Sequence, residues 1–206
     1  MSKKNQYSEK ILKKYADLVE GGAFSSWEYV ANLEDKSVES VKEKYKTLNN
    51  YVLETLRKID RNVVLSDIEN YFKCKKLKSK FLSVKARHKK IEKKLDKKLI
   101  FFCNFYDFCK WFRNELLKKK CDYCKVDFNT LKILFEKSEI SSFKFTATPH
   151  IERKEADRGY CSDNCVLICS LCNNAKSDMI LENDFREFIA PAMAKYYKYL
   201  ESKGNK

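Results

Sequence analysis

The sequence predicts a mainly α-helical protein with a small α+β part towards its C-terminal end. Only four glycines and two prolines occur among 206 residues, and so few chain breakers disfavour an all-β fold. Apolar residues recur every three or four positions, as on the buried face of a helix, over residues 7–19, 27–33 and 37–59. Residues 142–148 instead alternate like a strand, and residues 165–169 form a short apolar run. We therefore expect two strands, followed by a helix from Cys172.

The first helical patterns carry boundary signals. The first pattern ends at Gly21-Gly22, and Ser37 is a suitable N-cap for a later helix. Ala31 and Val41 have about the spacing that a helix-turn-helix uses for its small and packed positions. Because Asp35 occupies the turn where glycine is usual, simple packing in a helical bundle is the alternative.

Residues 73–98 concentrate the positive charge of the chain. They contain thirteen Lys or Arg residues and two acidic residues, for a net charge of +11. Apolar residues repeat there at helical spacing, so one face is expected to pack while the other presents cations. We expect the cationic face to bind phosphate groups, and a solvated helix face is the alternative. The candidate binding residues are Lys85, Arg87, Lys89, Lys93 and Lys97.

Residues 99–117 are rich in aromatic side chains. A helix over this segment would place one set of residues on a single buried face, and we assign that face to the core. The residues of the set are Phe102, Phe105, Cys109, Phe112 and Leu116.

The overall charge indicates a polyanionic partner. The chain has a formal net charge of +14 and a sequence pI near 9.2, and clustered cations are favoured by counterion release from a phosphate backbone. Nucleic acid is the expected partner, and a homodimer or a protein partner is left open. No secretion signal follows Met1 and no apolar stretch is long enough to span a bilayer, so we expect a cytoplasmic protein that does not act at membranes.

The nine cysteines are expected to be reduced in that compartment. Two Cys-x-x-Cys turns, Cys121 with Cys124 and Cys169 with Cys172, have the spacing of a structural zinc site with four sulfur ligands. Cys161 and Cys165 are rival ligands, although two complete turns favour treating them as buried thiols. The other three cysteines are predicted to pack in helices, namely Cys74, Cys103 and Cys109.

Three motifs surround the second cysteine turn. They are Glu152-Arg153-Lys154-Glu155 followed by Gly159-Tyr160, Asp163-Asn164-Cys-Val-Leu, and Cys172-Asn173-Asn-Ala-Lys176. With the expected strand, loop, strand and helix, residues 121–182 resemble the HNH, or ββα-metal, endonuclease family in the zinc-bearing variety of phage and restriction nucleases. The resemblance implies a zinc-stapled nuclease domain over residues 116–206. It leaves residues 1–115 as a helical, basic region for nucleic-acid or partner binding.

The resemblance also implies roles for the site residues. Phosphodiester hydrolysis needs an activated water, a cation that neutralises transition-state charge, and positive groups on neighbouring phosphates. Glu152 and Asn173 would hold one Mg²⁺ or Mn²⁺ ion through oxygen atoms. Asn164 would orient the base or brace the loop, and Lys176 and Arg153 would contact phosphate. The implied substrate is double-stranded DNA, and the implied setting is restriction or anti-phage defence.

The general base departs from the family pattern. The position that directly follows the metal-binding carboxylate, usually histidine, is Arg153, whose guanidinium cannot accept a proton at neutral pH. His150 lies two residues before Glu152, so on an extended strand both side chains share one face. We predict that His150 is the base. In the alternative, His150 packs or contacts phosphate, and either Tyr160 or a metal-bound hydroxide alone does the work.

Two other functions are compatible with the same sequence. A zinc-dependent nucleic-acid-binding module without catalysis would need only the basic helix and the four cysteines. A toxin that cleaves RNA would use the same catalytic residues on a different substrate. The carboxylate and the asparagine beside the cysteine turn favour the nuclease, since binding alone does not require them.

Overall fold

The computed structural model describes residues 7–137, 140 and 145–203. The protein is mainly helical, with one two-stranded antiparallel sheet in the described residues. The chain forms two compact units, and two of the three divisions between them fall within helices, while the third lies between Phe102 and Cys103. The first unit contains the chain up to Val84 and Cys103–Lys110, and the second contains Lys85–Phe102 and the chain from Trp111 onward. No helix in the described ranges is both long enough and apolar enough to cross a membrane.

The first unit consists of helices. They are α1 (Glu9–Gly21), α2 (Trp27–Glu34), α3 (Val38–Tyr45), α4 (Leu48–Arg57) and α5 (Leu65–Phe72), with the first part of α6 (Cys74–Leu95) and of α7 (Phe105–Leu117). The core of this unit is built from large buried side chains, among them Tyr15, Leu56, Ile68 and Phe81. The expected first helix is confirmed, shifted by two residues.

The predicted helix boundaries have clear physical causes. Gly22 closes α1 with a φ of 101°, a conformation that costs glycine little, and its N–H donates to Leu18 O. Ser37 is the N-cap of α3, as predicted, since its side chain accepts a hydrogen bond from the N–H of Ser40 at 3.2 Å. The segment expected to be helical over residues 37–59 is divided into two helices at Lys46, whose φ is 62°.

Helices α2 and α3 are joined by a three-residue turn. Asp35 adopts the left-handed conformation in that turn, with a φ of 53°, and Ala31 and Val41 are buried. The backbone therefore resembles a helix-turn-helix. However, the exposed acidic residues Glu39 and Glu43 of α3 balance its exposed Lys42 and Lys44, so this helix has no excess of cations for phosphate binding. The helix-turn-helix and simple packing in a helical bundle both stay predictions for these two helices.

Helix α6 carries most of the basic run, and its apolar stripe is buried as expected from Leu77 to His88. The next helix begins later than predicted. Phe102 is buried but precedes α7, because residues 98–102 are in neither a helix nor a strand and the N–H of Phe102 donates to Tyr160 O at 2.9 Å. The expected single helix over residues 99–117 is therefore wrong in its first part.

The second unit contains the sheet. Its further elements are α8 (Phe128–Glu136), β1 (His150–Arg153), β2 (Cys165–Ile168), α9 (Ser170–Lys176), α10 (Glu182–Asp184), a π-helical turn (Phe185–Ile189) and α11 (Ala190–Lys203). The strands are antiparallel, with His150 opposite Ile168 and Arg153 opposite Cys165. The second predicted strand and the helix after it are confirmed, although this helix begins at Ser170.

The first predicted strand is wrong in the part that can be tested. Residues 145–148 are not in a strand, and residues 142–144 lie outside the described ranges. The backbone of Thr146 is bonded to a side chain instead, since its N–H donates to Ser170 Oγ at 2.8 Å and its carbonyl accepts from the same hydroxyl at 2.6 Å. The strand begins after Pro149, where Ile151 contributes to the buried side of the sheet.

Candidate active site and metal centre

Four buried cysteine side chains meet in the core of the second unit. The sulfur atoms of Cys121, Cys124, Cys169 and Cys172 all lie within 4.8 Å of one another. The Sγ atoms of Cys124 and Cys169 are 3.8 Å apart. A tetrahedral zinc ion with Zn–S bonds of about 2.3 Å requires sulfur atoms about 3.8 Å apart. The four predicted ligands are therefore brought together, and they could hold a metal ion such as zinc.

Each cysteine pair is positioned by a tight turn. Cys121 donates its backbone N–H to Val126 O at 2.9 Å, and Lys125 completes the turn with a φ of 61°. Asp122 joins this turn to β2, because its N–H donates to Leu167 O at 3.0 Å. The second pair begins at Cys169, the N-cap of α9. The sheet and the start of one helix thus bring the two turns together.

The cluster favours thiolate formation at two of its four sulfurs, because the pKa values of Cys121 and Cys169 are lowered. Hydrogen bonds from the thiol of Cys124, and then from those of Cys169 and Cys172, lower the pKa of Cys121. Cys169 Sγ also accepts hydrogen bonds from the hydroxyl of Tyr197 at 3.5 Å and from the N–H of Cys172 at 3.4 Å. Metal ions bind thiolates and not thiols, so these donors suit a ligand set.

The remaining cysteines are separate from this cluster. Cys161 and Cys165 are buried, as expected, and burial raises the pKa of Cys165 to about 12, so this thiol stays protonated at neutral pH. Cys74 and Cys109 are also buried, as predicted. Cys103 is exposed, contrary to expectation, because it lies before α7 and not within it.

A cavity of about 490 Å³ lies in the second unit, and its lining includes Asn173, which directly follows Cys172 of the cysteine cluster. It contains two of the predicted metal ligands, Glu152 from β1 and Asn173 from α9. Its lining residues are Arg87, Ile91, Ile151, Glu152, Arg153, Tyr160, Asn173, Asn174, Ser177 and Asp178. A carboxylate and an amide that share one cavity provide hard oxygen donors of the kind that Mg²⁺ binds.

Glu152 is paired with Lys176. Lys176 Nζ lies 2.9 Å from Glu152 Oε1 and 3.3 Å from Arg153 O, and the lysine side chain is 1% exposed. Burial raises the pKa of Glu152, and the lysine opposes that shift. Lys176 was predicted to contact phosphate. In this structure its ammonium group neutralises the candidate metal-binding carboxylate.

Arg153 stabilises the loop after β1. Its guanidinium donates to Ala156 O, and its second nitrogen lies 2.8 Å from Asp178 Oδ1. Only 6% of its side chain is exposed. Although Arg153 lines the cavity, the hydrogen bonds that were expected to reach phosphate are directed to protein groups.

Asn164 is fully buried in the same loop. Its amide nitrogen donates to Glu155 O at 3.1 Å and to Gly159 O at 3.0 Å, and its oxygen accepts from the N–H of Glu155 at 3.0 Å. Of the two roles implied for Asn164, the geometry matches the bracing of the loop.

His150 and Glu152 lie on the same face of β1, as the strand period predicts. However, His150 is not among the residues that line the cavity. Its Nε2 atom lies 3.1 Å from Thr146 Oγ1 and 3.4 Å from Ser170 Oγ. The candidate base is therefore held beside two hydroxyl groups.

The predicted phosphate-binding residues divide into two groups. Arg87 lines the cavity. Lys85, Lys89, Lys93 and Lys97 are exposed and lie outside the cavity lining. Ile91 and Asp178 line the cavity but were not predicted as site residues. The position of Ile91 near the site could have been predicted from the sequence, because Ile91 is one helical turn after Arg87 and therefore lies on the same side of the helix.

The comparisons with known proteins add no family assignment. No protein-family model, no curated protein and no solved structure matches this chain. The function is therefore inferred from the chemistry of the two sites: four buried cysteine sulfurs that could hold a metal ion, and a cavity that contains the half-buried carboxylate of Glu152.

Proposed function

We propose that the protein is a metal-dependent endonuclease of the HNH type that hydrolyses phosphodiester bonds in double-stranded DNA. The observation that carries the proposal is the shared cavity of Glu152 and Asn173, with the four-cysteine cluster at the base of α9. Strand, loop, strand and helix follow one another around it in the order of a ββα-metal core. The chain's charge of +14 supports a nucleic-acid substrate.

Glu152 and Asn173 would hold the catalytic Mg²⁺ or Mn²⁺ ion through a carboxylate and an amide oxygen. Such an ion supplies Lewis acidity that stabilises negative charge on the phosphate. Two protein ligands leave the other positions for water and substrate, which suits an ion that dehydrates reluctantly. Lys176 would then be released from Glu152 to contact a phosphate oxygen.

His150 would act as general base. In the hydrolysis, a water oxygen bonds to phosphorus, the bond to the 3′ oxygen breaks, His150 takes the proton of the water, and the 3′ oxygen takes a proton from solvent. Burial raises the pKa of Tyr160, so its phenol stays neutral at neutral pH and is poorly suited to accept that proton. The raised pKa of Tyr160 therefore disfavours Tyr160 as the general base and supports His150.

The four cysteines would bind a structural zinc ion that joins the two Cys-x-x-Cys turns. A closed set of four sulfur ligands leaves no position for substrate, which is typical of structural and not catalytic zinc. Restriction or anti-phage defence is the setting that we propose for the nuclease.

The test is the cleavage of supercoiled plasmid by the purified chain, with Mg²⁺ and with excess EDTA. We expect nicked or linear product with Mg²⁺ only, and loss of activity by a factor of roughly 10² or more in Glu152→Ala. Glu155→Ala is the matched control, because Glu155 is exposed and pairs with Arg158 outside the cavity. Equal activity of Glu152→Ala and wild type would overturn the assignment.

A nucleic-acid-binding module without catalysis is the second candidate. The observation that favours it is that Lys176 and Arg153 are bonded to protein carboxylates, Glu152 and Asp178. This candidate predicts binding of duplex DNA with no cleavage under either metal. Cleavage of single-stranded RNA, but not of plasmid, would instead support an RNA-cleaving toxin.

A further inference from the structure

Helix α6 contributes two residues to the cavity beside β1. Arg87 and Ile91 are one helical turn apart, and both line the cavity that contains Glu152 and Asn173. The guanidinium carbon of Arg87 lies 5.5 Å from the centre of the Tyr160 ring, within the range of a cation–π contact. A cation from outside the motif segment thus borders the candidate site.

The residue next to Arg87 fixes this part of the helix. His88 is 5% exposed, and its Nδ1 atom accepts a hydrogen bond from the N–H of Tyr160 at 3.4 Å. Its Nε2 atom lies 3.4 Å from Glu92 Oε1, and that carboxylate also accepts from the N–H of Leu99 at 2.9 Å. Because His88 is held on both ring nitrogens, the position of Arg87 relative to Tyr160 is defined by the fold.

The turn at Gly159 brings the two segments into close approach. A Cβ atom at this position would lie 1.8 Å from Ile100 O and 2.9 Å from His88 Cε1. Only glycine admits such an approach. This contact and the Phe102–Tyr160 backbone hydrogen bond make residues 85–102 an integral part of the second unit.

The two arginines of the cavity differ in their partners. Arg153 is buried, and its hydrogen bonds are directed to Asp178 and to loop carbonyls. Arg87 is exposed, and no ion pair involves it within the described parts of the chain. Its five N–H donors in a planar fork match the oxygens of a phosphate group.

We propose that Arg87 binds the phosphate group that is hydrolysed, in the place that the sequence motif assigns to Arg153. The proposal rests on the nuclease function proposed above and identifies its phosphate-binding cation. A guanidinium at this position would stabilise charge on the non-bridging oxygens as it increases in the transition state. Arg87 therefore differs in role from Lys89, which lies about 200° around the helix from it and outside the cavity.

The test compares Arg87→Gln and Arg87→Lys with Lys90→Gln, which removes one exposed charge from the same helix outside the cavity. The single-turnover cleavage rate of plasmid is measured in Mg²⁺ with saturating protein. We expect Arg87→Gln to lower this rate by roughly 10² or more, Arg87→Lys to retain part of it because lysine keeps the charge without the fork, and Lys90→Gln to cleave at the wild-type rate. Circular dichroism and metal content of each variant verify that the fold is intact.

Near-normal cleavage by folded Arg87→Gln overturns the proposal, as does an equal loss in Lys90→Gln. If wild type does not cleave, the nuclease function itself fails, and the binding of a duplex of 20 base pairs in EDTA then decides the role of Arg87. The measured quantity is the slope of the logarithm of the binding constant against the logarithm of the salt concentration. If the magnitude of this slope falls by about 0.9 in Arg87→Gln, and not in Lys90→Gln, the result supports a phosphate contact at Arg87. An unchanged slope in Arg87→Gln rejects it.

Discussion

Lys176 Nζ and Glu152 Oε1 form an ion pair at 2.9 Å, in which the lysine side chain is 1% exposed and the glutamate side chain 12%. Removal of one partner from such a pair leaves a buried charge without compensation, and this typically costs about 3–5 kcal/mol. We expect Lys176→Met to lower the free energy of unfolding by this amount.

The double variant Lys176→Met with Glu152→Gln is expected to recover much of that loss, since no buried charge remains. Urea denaturation of the wild type, the two single variants and the double variant gives the coupling energy. Additive effects of the two substitutions would show that the pair is not coupled.

Loss of one cysteine of the cluster is expected to remove the metal. Structural zinc contributes on the order of 10 kcal/mol to the folding of small modules, so Cys169→Ala should lose zinc and aggregate. Cys161→Ala is the control, because Cys161 is buried in the loop that ends at β2 and lies outside the cluster. Metal content by mass spectrometry checks the prediction. Release of zinc by the control, but not by Cys169→Ala, would contradict it.

Three exposed lysines, Lys89 and Lys93 of α6 and Lys97 of the turn after it, are expected to bind DNA without sequence preference. Replacing Lys89, Lys93 and Lys97 by Glu should weaken binding to all duplexes alike. The substitution should also reduce the dependence of binding on salt, so that the slope of the logarithm of the binding constant against the logarithm of the salt concentration falls in magnitude by up to about 0.9 for each lost phosphate contact.

The matched control for these lysines makes the same change of net charge elsewhere. It replaces three exposed lysines of α8 and α11, namely Lys132, Lys195 and Lys198. Binding titrations at several salt concentrations give both slopes. Equal slopes for the two triple variants would assign the lysines of α6 to a solvated helix face.

Gly159→Ala is expected to destabilise the second unit by about 1–3 kcal/mol, the usual cost of overpacking. The added methyl group would overlap the carbonyl of Ile100, so residues 99–102 would have to move. Hydrogen exchange should show faster exchange of the N–H of Phe102. Ser162→Ala, in an exposed position of the same loop, should leave that exchange unchanged, and equal protection in both variants would contradict the prediction.

His150→Ala is expected to lower the cleavage rate by roughly 10² to 10⁴, the usual contribution of a positioned base. Duplex binding and zinc content should stay at wild-type levels, because His150 Nε2 lies beside the hydroxyls of Thr146 and Ser170, and neither residue is one of the four cysteine ligands. The pH dependence of single-turnover cleavage checks the assignment. A variant that retains near-normal cleavage at neutral pH would exclude His150 and leave a metal-bound hydroxide alone.

Much of the local structure could be predicted from sequence because its causes are local. Ser37 caps α3 and Gly22 closes α1 through bonds within a few residues. The pairing of the two Cys-x-x-Cys turns was also predictable, since each turn supplies two sulfurs by its own geometry. The strand predicted over residues 142–148 is wrong at residues 145–148, because an alternating pattern alone does not ensure pairing and the backbone of Thr146 is hydrogen-bonded to the side chain of Ser170, a residue distant in sequence.

The sequence by itself determined the helical class, the four clustered sulfurs and the residue types around Glu152. Only the tertiary structure decided which positively charged side chains form ion pairs and which one borders the cavity of Glu152. Lys176 and Arg153 are bonded to carboxylates, while Arg87, more than sixty positions before Glu152, borders the cavity. The physical reason is that the long side chains of lysine and arginine form ion pairs with whichever carboxylates the fold brings near them. Their partners depend on the packing of His88 against Tyr160 and of Gly159 against Ile100, which no local pattern encodes.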